Sequence, residues 1–410
     1  MSAAARVFLF FSLGYFVSYV YRGLNIGFAP YLTAEIGLTA ADLGTLTSLY
    51  FLGFSIAQIP AGMMLDTWGP RRVNAVLLLL AAAGSVAFGL SDTLAGLMAG
   101  RLLIGIGVAV CLGATFQALA RTFPLARLPL INGLVMAIGG MGGVVVGSPL
   151  AALLDVATWR EVSVGMALPT VMVAALVWWG TRDAVRTPQG SRVRQGPARQ
   201  WQGTLELLRD RGFWQLLSLP VMTAGVFFAV QSLWVRPFLV DAKGLAPDHA
   251  AALVSVLGFA MVGGNVLLGA LARSIEGLGI GLHAFAGLGM VAFIAVQLAI
   301  MMGLPLPGAL AWALYGIFGS APILLYALLP GRFAPELLGR VNTTANLVMF
   351  MMIFACQVGI GAILDLWPNQ GGHYPPQAHQ AAWGMLLALQ AAAAVWYFWP
   401  PRKARTGQAG

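Results

Sequence analysis

Between about residue 6 and residue 400 the chain is a succession of apolar runs, most of them twenty or more residues long, in which hydrophobic side chains follow one another without alternation. A helix rises 1.5 Å per residue, so roughly twenty such residues cross a hydrocarbon core of ~30 Å. A membrane-spanning β-barrel would need strict alternation, and the runs do not show it. Only 9% of the residues are charged and 59% are hydrophobic, whereas a soluble domain carries about a quarter charged residues. The predicted fold class is therefore all-α and integral to a membrane. Twelve transmembrane helices are expected, at 6–33, 40–66, 72–91, 94–122, 128–154, 160–180, 213–240, 248–272, 281–303, 307–329, 340–366 and 378–400.

The longest polar stretch, Thr181 to Arg211, separates spans six and seven and holds seven arginines with Pro188, Gly190, Gly196 and Pro197. It divides the chain into a six-helix half over 1–180, a linker over 181–212, a second half over 213–400 and a basic tail over 401–410. The end of the linker, Thr204 to Arg211, is amphipathic and suits the membrane surface. Eighteen of the 23 lysines and arginines fall on the side where the chain begins, and only Arg160 and Lys243 on the other. The positive-inside rule puts that rich side, with both termini, in the cytoplasm of a cytoplasmic (inner) membrane. The net charge of +9 thus reports topology, and no nucleic-acid partner is expected. Arg6 precedes the first run with no small-residue cleavage site, so that run is expected to be retained as a span.

The two halves repeat. A shift of 207 residues lays Pro30, Gly37, Leu38 and Gly62 on Pro237, Gly244, Leu245 and Gly269, and a shift of 210 lays Phe123, Asn132 and Asp155 on Phe333, Asn342 and Asp365. Two pseudo-symmetric six-helix halves in parallel orientation follow. Spans two and three are joined by Gly62-Met-Met-Leu-Asp66-Thr-Trp-Gly69-Pro-Arg71-Arg72. Gly69 and Pro70 make the turn and the arginines mark the cytoplasmic side. This pattern resembles the loop signature between helices two and three of the major facilitator superfamily of transporters. The second-half copy has decayed, with Arg273 in place of Asp66. Arg101-x-x-x-Gly105-x-Gly107-x-Ala109 is similar to the superfamily's fourth-helix motif, and Trp159-Arg160 is family-like at the start of span six. Gly139-Gly140-Met-Gly142-Gly143-x-x-x-Gly147-Ser-Pro149 loosely resembles the fifth-helix motif of antiporters without its Gly-Pro pair; close packing and a bend at Pro149 explain it equally well.

Three arginines, Arg22, Arg101 and Arg236, lie within spans 1, 4 and 7. Arg22 is about 15 Å from the nearer end of its span, close to mid-membrane. All fourteen acids lie at or near one membrane face or the other, so these arginines have no carboxylate at their depth. An unpaired guanidinium in a low-dielectric cavity attracts an anion, and its planar fork suits carboxylate or phosphate. Tyr15, Ser18, Arg22 and Asn25 form one helical stripe with Tyr19 on its border. Under the 207 shift Arg236 falls on the same helix face as Arg22, two turns further out, so the pair is expected to clamp one anion from both halves. Arg236 can equally snorkel to the surface, and for Arg101 a scaffold or gating role is expected ahead of cargo contact. Gln231, Trp234, Trp312, Tyr315, Asn342 and Asn346 complete the candidate cavity residues.

The resemblance implies that helices 1, 4, 7 and 10 line a central cavity, and that Gly62, Asp66, Gly69, Arg71 and Arg72 serve gating. Tyr21-Arg22-Gly-Leu-Asn25-Ile…Ala29-Pro30 is also similar to the first helix of anion:cation symporters and organophosphate antiporters. Tyr21 and Val108 stand where those symporters often carry acids, so proton symport is not implied. The expected function is a secondary transporter moving a small organic or phosphorylated anion by alternating access. An exporter of drugs, siderophores or other amphipathic compounds, and a non-transporting membrane sensor, are the alternatives. No enzyme chemistry, cofactor or metal is expected: there is no nucleophile–base pair, Cys111 and Cys356 lie in apolar runs, and His249, His283, His373 and His379 have no ligand spacing. The expected partners are an anionic small molecule and the lipid bilayer, with the protein acting as a monomer.

Overall fold

The computed structural model describes residues 2–124, 127–182, 207–276, 279, 281–329, 332–333, 338–369 and 373–399, without the side chains of 59, 66, 129–130, 273–274, 276, 338–340 and 342–343. Most of the linker and all of the basic tail lie outside the described residues, as do the side chains of Asp66 and Asn342.

Among the described residues eleven helices are long and apolar enough to cross a membrane, and a bent pair, taken as one span, makes twelve. They are α1 (Ala3–Ile36), α2 (Ala40–Gln58), α3 (Thr67–Gly89), α4 (Leu94–Ala120), α5 (Ile131–Val145 bent by 42° into Ser148–Leu154), α6 (Trp159–Gly180), α7 (Arg211–Ala242), α8 (Pro247–Ala272), α9 (Leu282–Met301), α10 (Gly308–Leu328), α11 (Thr344–Leu364) and α12 (Pro376–Phe398). Capping decides where several begin. Thr39 and Asp42 form a capping box at α2, Thr158 and Glu161 another at α6, and the Asp210 carboxylate accepts from the amides of Gly212 and Phe213 at α7. Helical turns run on from α2 toward α3 as far as Gly69, whose φ of 79° and ψ of 161° reverse the chain; a side chain there would be strained.

Each half has its own aromatic core. Phe28, Phe88 and Trp159 pack together in the first, and Phe227, Phe293, Trp312, Tyr315 and Trp383 in the second. The halves meet where α2 lies along α11 and α5 along α8. Glycines set the spacing. A Cβ at Gly44 would sit 2.6 Å from the Gln357 carbonyl oxygen, and one at Gly258 2.9 Å from the Gly143 backbone. The glycine-rich run of span five is therefore a packing surface for α8, and its bend falls just before Pro149.

Candidate functional site

Arg22 sits where the halves meet. It is 7% exposed, and its guanidinium carbon lies 4.3 Å from the ring centre of Tyr19, 5.1 Å from that of Phe228 on α7 and 5.8 Å from that of Phe350 on α11. The phenols of Tyr15 and Tyr50 also face it. Phe54 on α2 stacks on Phe350 at 4.1 Å, and Tyr15 meets Tyr19 edge-on at 5.1 Å. Arg22 Nε has no hydrogen-bond partner, and among the described residues no carboxylate forms an ion pair with it. Three ring faces and the Tyr50 hydroxyl hold the guanidinium, and because cation–π contacts of about 0.5–2 kcal/mol do not neutralise its charge it keeps attraction for an anion.

Of the other candidates, Tyr15 and Tyr19 join Arg22 directly. Asn25 ties α1 to α2, its Nδ2 donating to Thr47 Oγ1 at 2.8 Å, while its Oδ1 is without a partner. Gln231 is spent only on the weak acceptor sulfur of Met261, and Trp234 Nε1 has no partner. Asn346 accepts from the Tyr326 hydroxyl on α10. Tyr315 is fully buried in the second aromatic core with its hydroxyl unpaired, away from Arg22's ring contacts.

Arg101 and Arg236 are placed elsewhere. Arg101 is 1% exposed inside the first half, lies over the Phe88 ring at 4.8 Å, and donates to the Tyr21 carbonyl at 2.9 Å. It positions the backbone beside Arg22. Arg236 reaches across to the Gly27 carbonyl at 3.4 Å, beside a crevice lined by Ile26, Val146, Gly147 and Val254. Gly27 is five residues, or about 7.5 Å, beyond Arg22 along α1. The expected Arg22–Arg236 clamp is thus not assembled in this conformation. A π-helical turn in α7 at Val230–Trp234, ahead of Arg236, breaks the 3.6-residue phase on which that expectation rested.

The arginine-poor end of the seam is closed. The Asp365 carboxylate, at the end of α11, accepts from the amides of Ala40 at 3.1 Å and Ala41 at 2.8 Å at the start of α2, and from the Tyr374 hydroxyl. The Ala40 amide also donates to Tyr374 Oη at 3.0 Å. Ser255 on α8 accepts from the Ser148 amide at 3.0 Å and donates to the Val144 carbonyl at 3.4 Å. Asp241 anchors the Tyr374 loop, meeting His373 Nδ1 at 2.6 Å, His379 Nε2 at 3.2 Å and the Tyr374 amide at 3.1 Å. Burial and the Asp365 oxygen together push the Tyr374 pKa up to about 12. Sequence reasoning did not single out Tyr50, Phe54, Phe228, Phe350 or the Asp365–Tyr374 pair; Asp365 had one usable signal, its repeat match to Asp155.

At the arginine-rich end no hydrogen bond crosses the seam among the described residues. Nothing lies within 4 Å of where a Cβ would stand at Gly62, Gly133, Gly263 or Gly269. Arg71 donates to the Trp178 carbonyl at 2.7 Å within its own half, and with Arg72, Trp178, Trp179 and Arg182 it borders a surface cleft of about 410 Å³. The Gly62–Arg72 loop makes no described bond to the second half here.

This geometry, two six-helix halves hydrogen-bonded together at one end, has counterparts among known proteins. The family profile described as Major Facilitator Superfamily matches residues 11–356. The chain belongs to the Major Facilitator Superfamily. Among superfamily relatives it is 25% identical to the probable sulfoacetate transporter of Cupriavidus necator, over 87% of this chain and 92% of that protein. It is also 25% identical to the 3-(3-hydroxy-phenyl)propionate transporter of Escherichia coli K12, over 82% of each. A solved bacterial homologue of the human lysosomal transporter Spinster, inward-facing and unoccupied, superposes with a TM-score of 0.76 at 17% identity over 97% of each chain. The expected twelve-helix superfamily fold is thus borne out. The protein is a multi-pass membrane transporter by family and not an enzyme.

Proposed function

We propose that the protein is a secondary transporter of a small organic or phosphorylated anion, and that Arg22 binds the cargo's negative charge. The observation that carries this reading is a buried guanidinium contacted from both halves, with Nε unpartnered and no ion pair among the described residues. A charge in the hydrocarbon costs several kcal/mol unless it is used. Relatives named for sulfoacetate, hexuronate, nitrite and hydroxyphenylpropionate differ in body and share an anionic cargo, which supports the same reading.

We place the arginine-rich face in the cytoplasm of the inner membrane, both termini with it, and take a single chain as the working unit. The conformation is then inward-facing. Tyr15, Tyr19, Asn25, Gln231, Trp234, Asn342 and Asn346 flank the path. Arg101 holds α1 beside Arg22, and Arg236 closes the outer seam. Gly62, Asp66, Gly69, Arg71 and Arg72 serve the opposite, outward-facing state, in which the inner ends of α2 and α11 must meet. The test is anion exchange in proteoliposomes. Arg22→Ala abolishes exchange and Arg22→Lys retains a fraction; undiminished exchange of every anion by both variants sinks the assignment.

A further inference from the structure

We infer that the cargo carries one negative charge on a flat, apolar body, as an aryl-alkanoate does, and is neither a dicarboxylate nor a phosphate ester. This rests on Arg22 as the anion site. Charge counting comes first. Of the three arginines within the spans, Arg101 donates to the Tyr21 carbonyl under Phe88, and Arg236 donates to the Gly27 carbonyl at the seam. Lys243 donates to the Ile300 carbonyl, His373 and His379 are on Asp241, and His283 stacks on Tyr397. Among the described residues Arg22 is therefore the one cation facing both halves at mid-membrane. One guanidinium offsets one negative charge, and a second in the same low dielectric finds no partner.

Shape gives the second half of the inference. The surfaces presented around Arg22 are ring faces: Tyr19 from α1, Phe228 from α7, and Phe350 from α11 backed by Phe54 from α2. An arene slides between such faces and stacks, and the carboxylate on its short arm reaches the guanidinium, whose Nε is without a partner. Three donors of the surrounding helices are already engaged: Tyr50 with the Ser18 carbonyl, Tyr326 with Asn346, and Asn25 Nδ2 with Thr47. Because the rings come from both halves, such a cargo touches the elements that must separate during the cycle.

Four probes test this on the purified full-length protein, by thermal-shift titration and by counterflow in proteoliposomes at pH 8: 3-phenylpropionate, propanoate, succinate and phenyl phosphate. 3-Phenylpropionate is expected to half-saturate at about tenfold lower concentration than propanoate, the scale of one stacked ring, and at lower concentration than succinate and phenyl phosphate, whose second charge finds no partner. Arg22→Ala removes the response, and Phe350→Leu narrows the phenylpropionate-to-propanoate ratio while Phe350→Tyr keeps it. Tighter, Arg22-dependent binding of succinate or phenyl phosphate overturns the single charge but leaves Arg22 as the anion site. Equal binding of propanoate and 3-phenylpropionate overturns the flat body. No response to any probe overturns both this inference and the anion-transport reading beneath it.

Discussion

Helices α2 and α11 run antiparallel along the seam, and their two ends are built differently. At the arginine-poor end the Asp365 carboxylate closes on the first amides of α2, where the helix dipole concentrates positive charge, and Tyr374 seals the contact. At the arginine-rich end Gly62 stands clear of any neighbour, and Arg71 turns back onto Trp178 of its own half. One helix pair thus carries an engaged latch at one end and a disengaged surface at the other. Arg22 lies between them, touched by Phe228 and Phe350 from the far half. Closure at only one end is what alternating access requires, and the contrast locates the switch in a handful of hydrogen bonds.

The largest expected effect lies between the two ends. Arg22→Ala should lower exchange by about 100-fold or more, the ~3 kcal/mol of a lost charge-assisted contact, with the variant eluting from size exclusion as the unmodified protein does. Next comes the closed end. Gly44→Val drives a side chain into the Gln357 carbonyl 2.6 Å away, so the seam cannot seal. Transport should fall at least about tenfold, since overpacking of this kind costs ~1–3 kcal/mol. Labelling of a cysteine introduced at the arginine-poor mouth should rise with it; unchanged labelling would break the claim that α2–α11 contact is the seal.

Asp365→Asn keeps the shape and removes the charge, costing about 1 kcal/mol of charge-assisted bonding at the α2 N-terminus and shifting the population several-fold toward the state open at this end. Outer-mouth labelling of this variant, compared with that of Gly44→Val, sharpens how much of the seal is packing and how much is the latch. Tyr374→Phe should give the smallest change, about two- to threefold, for one neutral hydrogen bond. Because the folded Tyr374 holds its proton up to about 12, above the usual ~10 of tyrosine, its contribution is fully present below pH 10 and is lost only as pH rises toward 12. Any Tyr374-dependent pH effect between 6 and 9 would count against this assignment.

Much of this architecture was legible in the residues. Span positions follow from run length, and the repeat from matched residues such as Pro30 and Pro237. Arg22 was identifiable because an arginine at that depth without an acid demands an explanation. Arg101 and Arg236 look equivalent to it in a list of intramembrane charges, yet one is spent on the Tyr21 carbonyl and the other on Gly27. Helical phase read from sequence assumes a uniform 3.6-residue period, and the π-turns of α7 do not keep it. Phe228 and Phe350 are ordinary apolar residues of their spans until two halves bring them over the same guanidinium.

By itself, then, the sequence determined what each helix must do against its solvent: apolar length, capped ends, a reversing glycine at Gly69 and arginines on one face. These are local demands, set by the cost of unpaired backbone and charge in hydrocarbon. Only the tertiary structure decided which arginine meets rings from both halves, which end of the seam is shut, and that Asp365 closes on α2 from 325 residues away. Those choices depend on distances between helices, and two identical stretches of sequence differ in function once one is paired and the other is not.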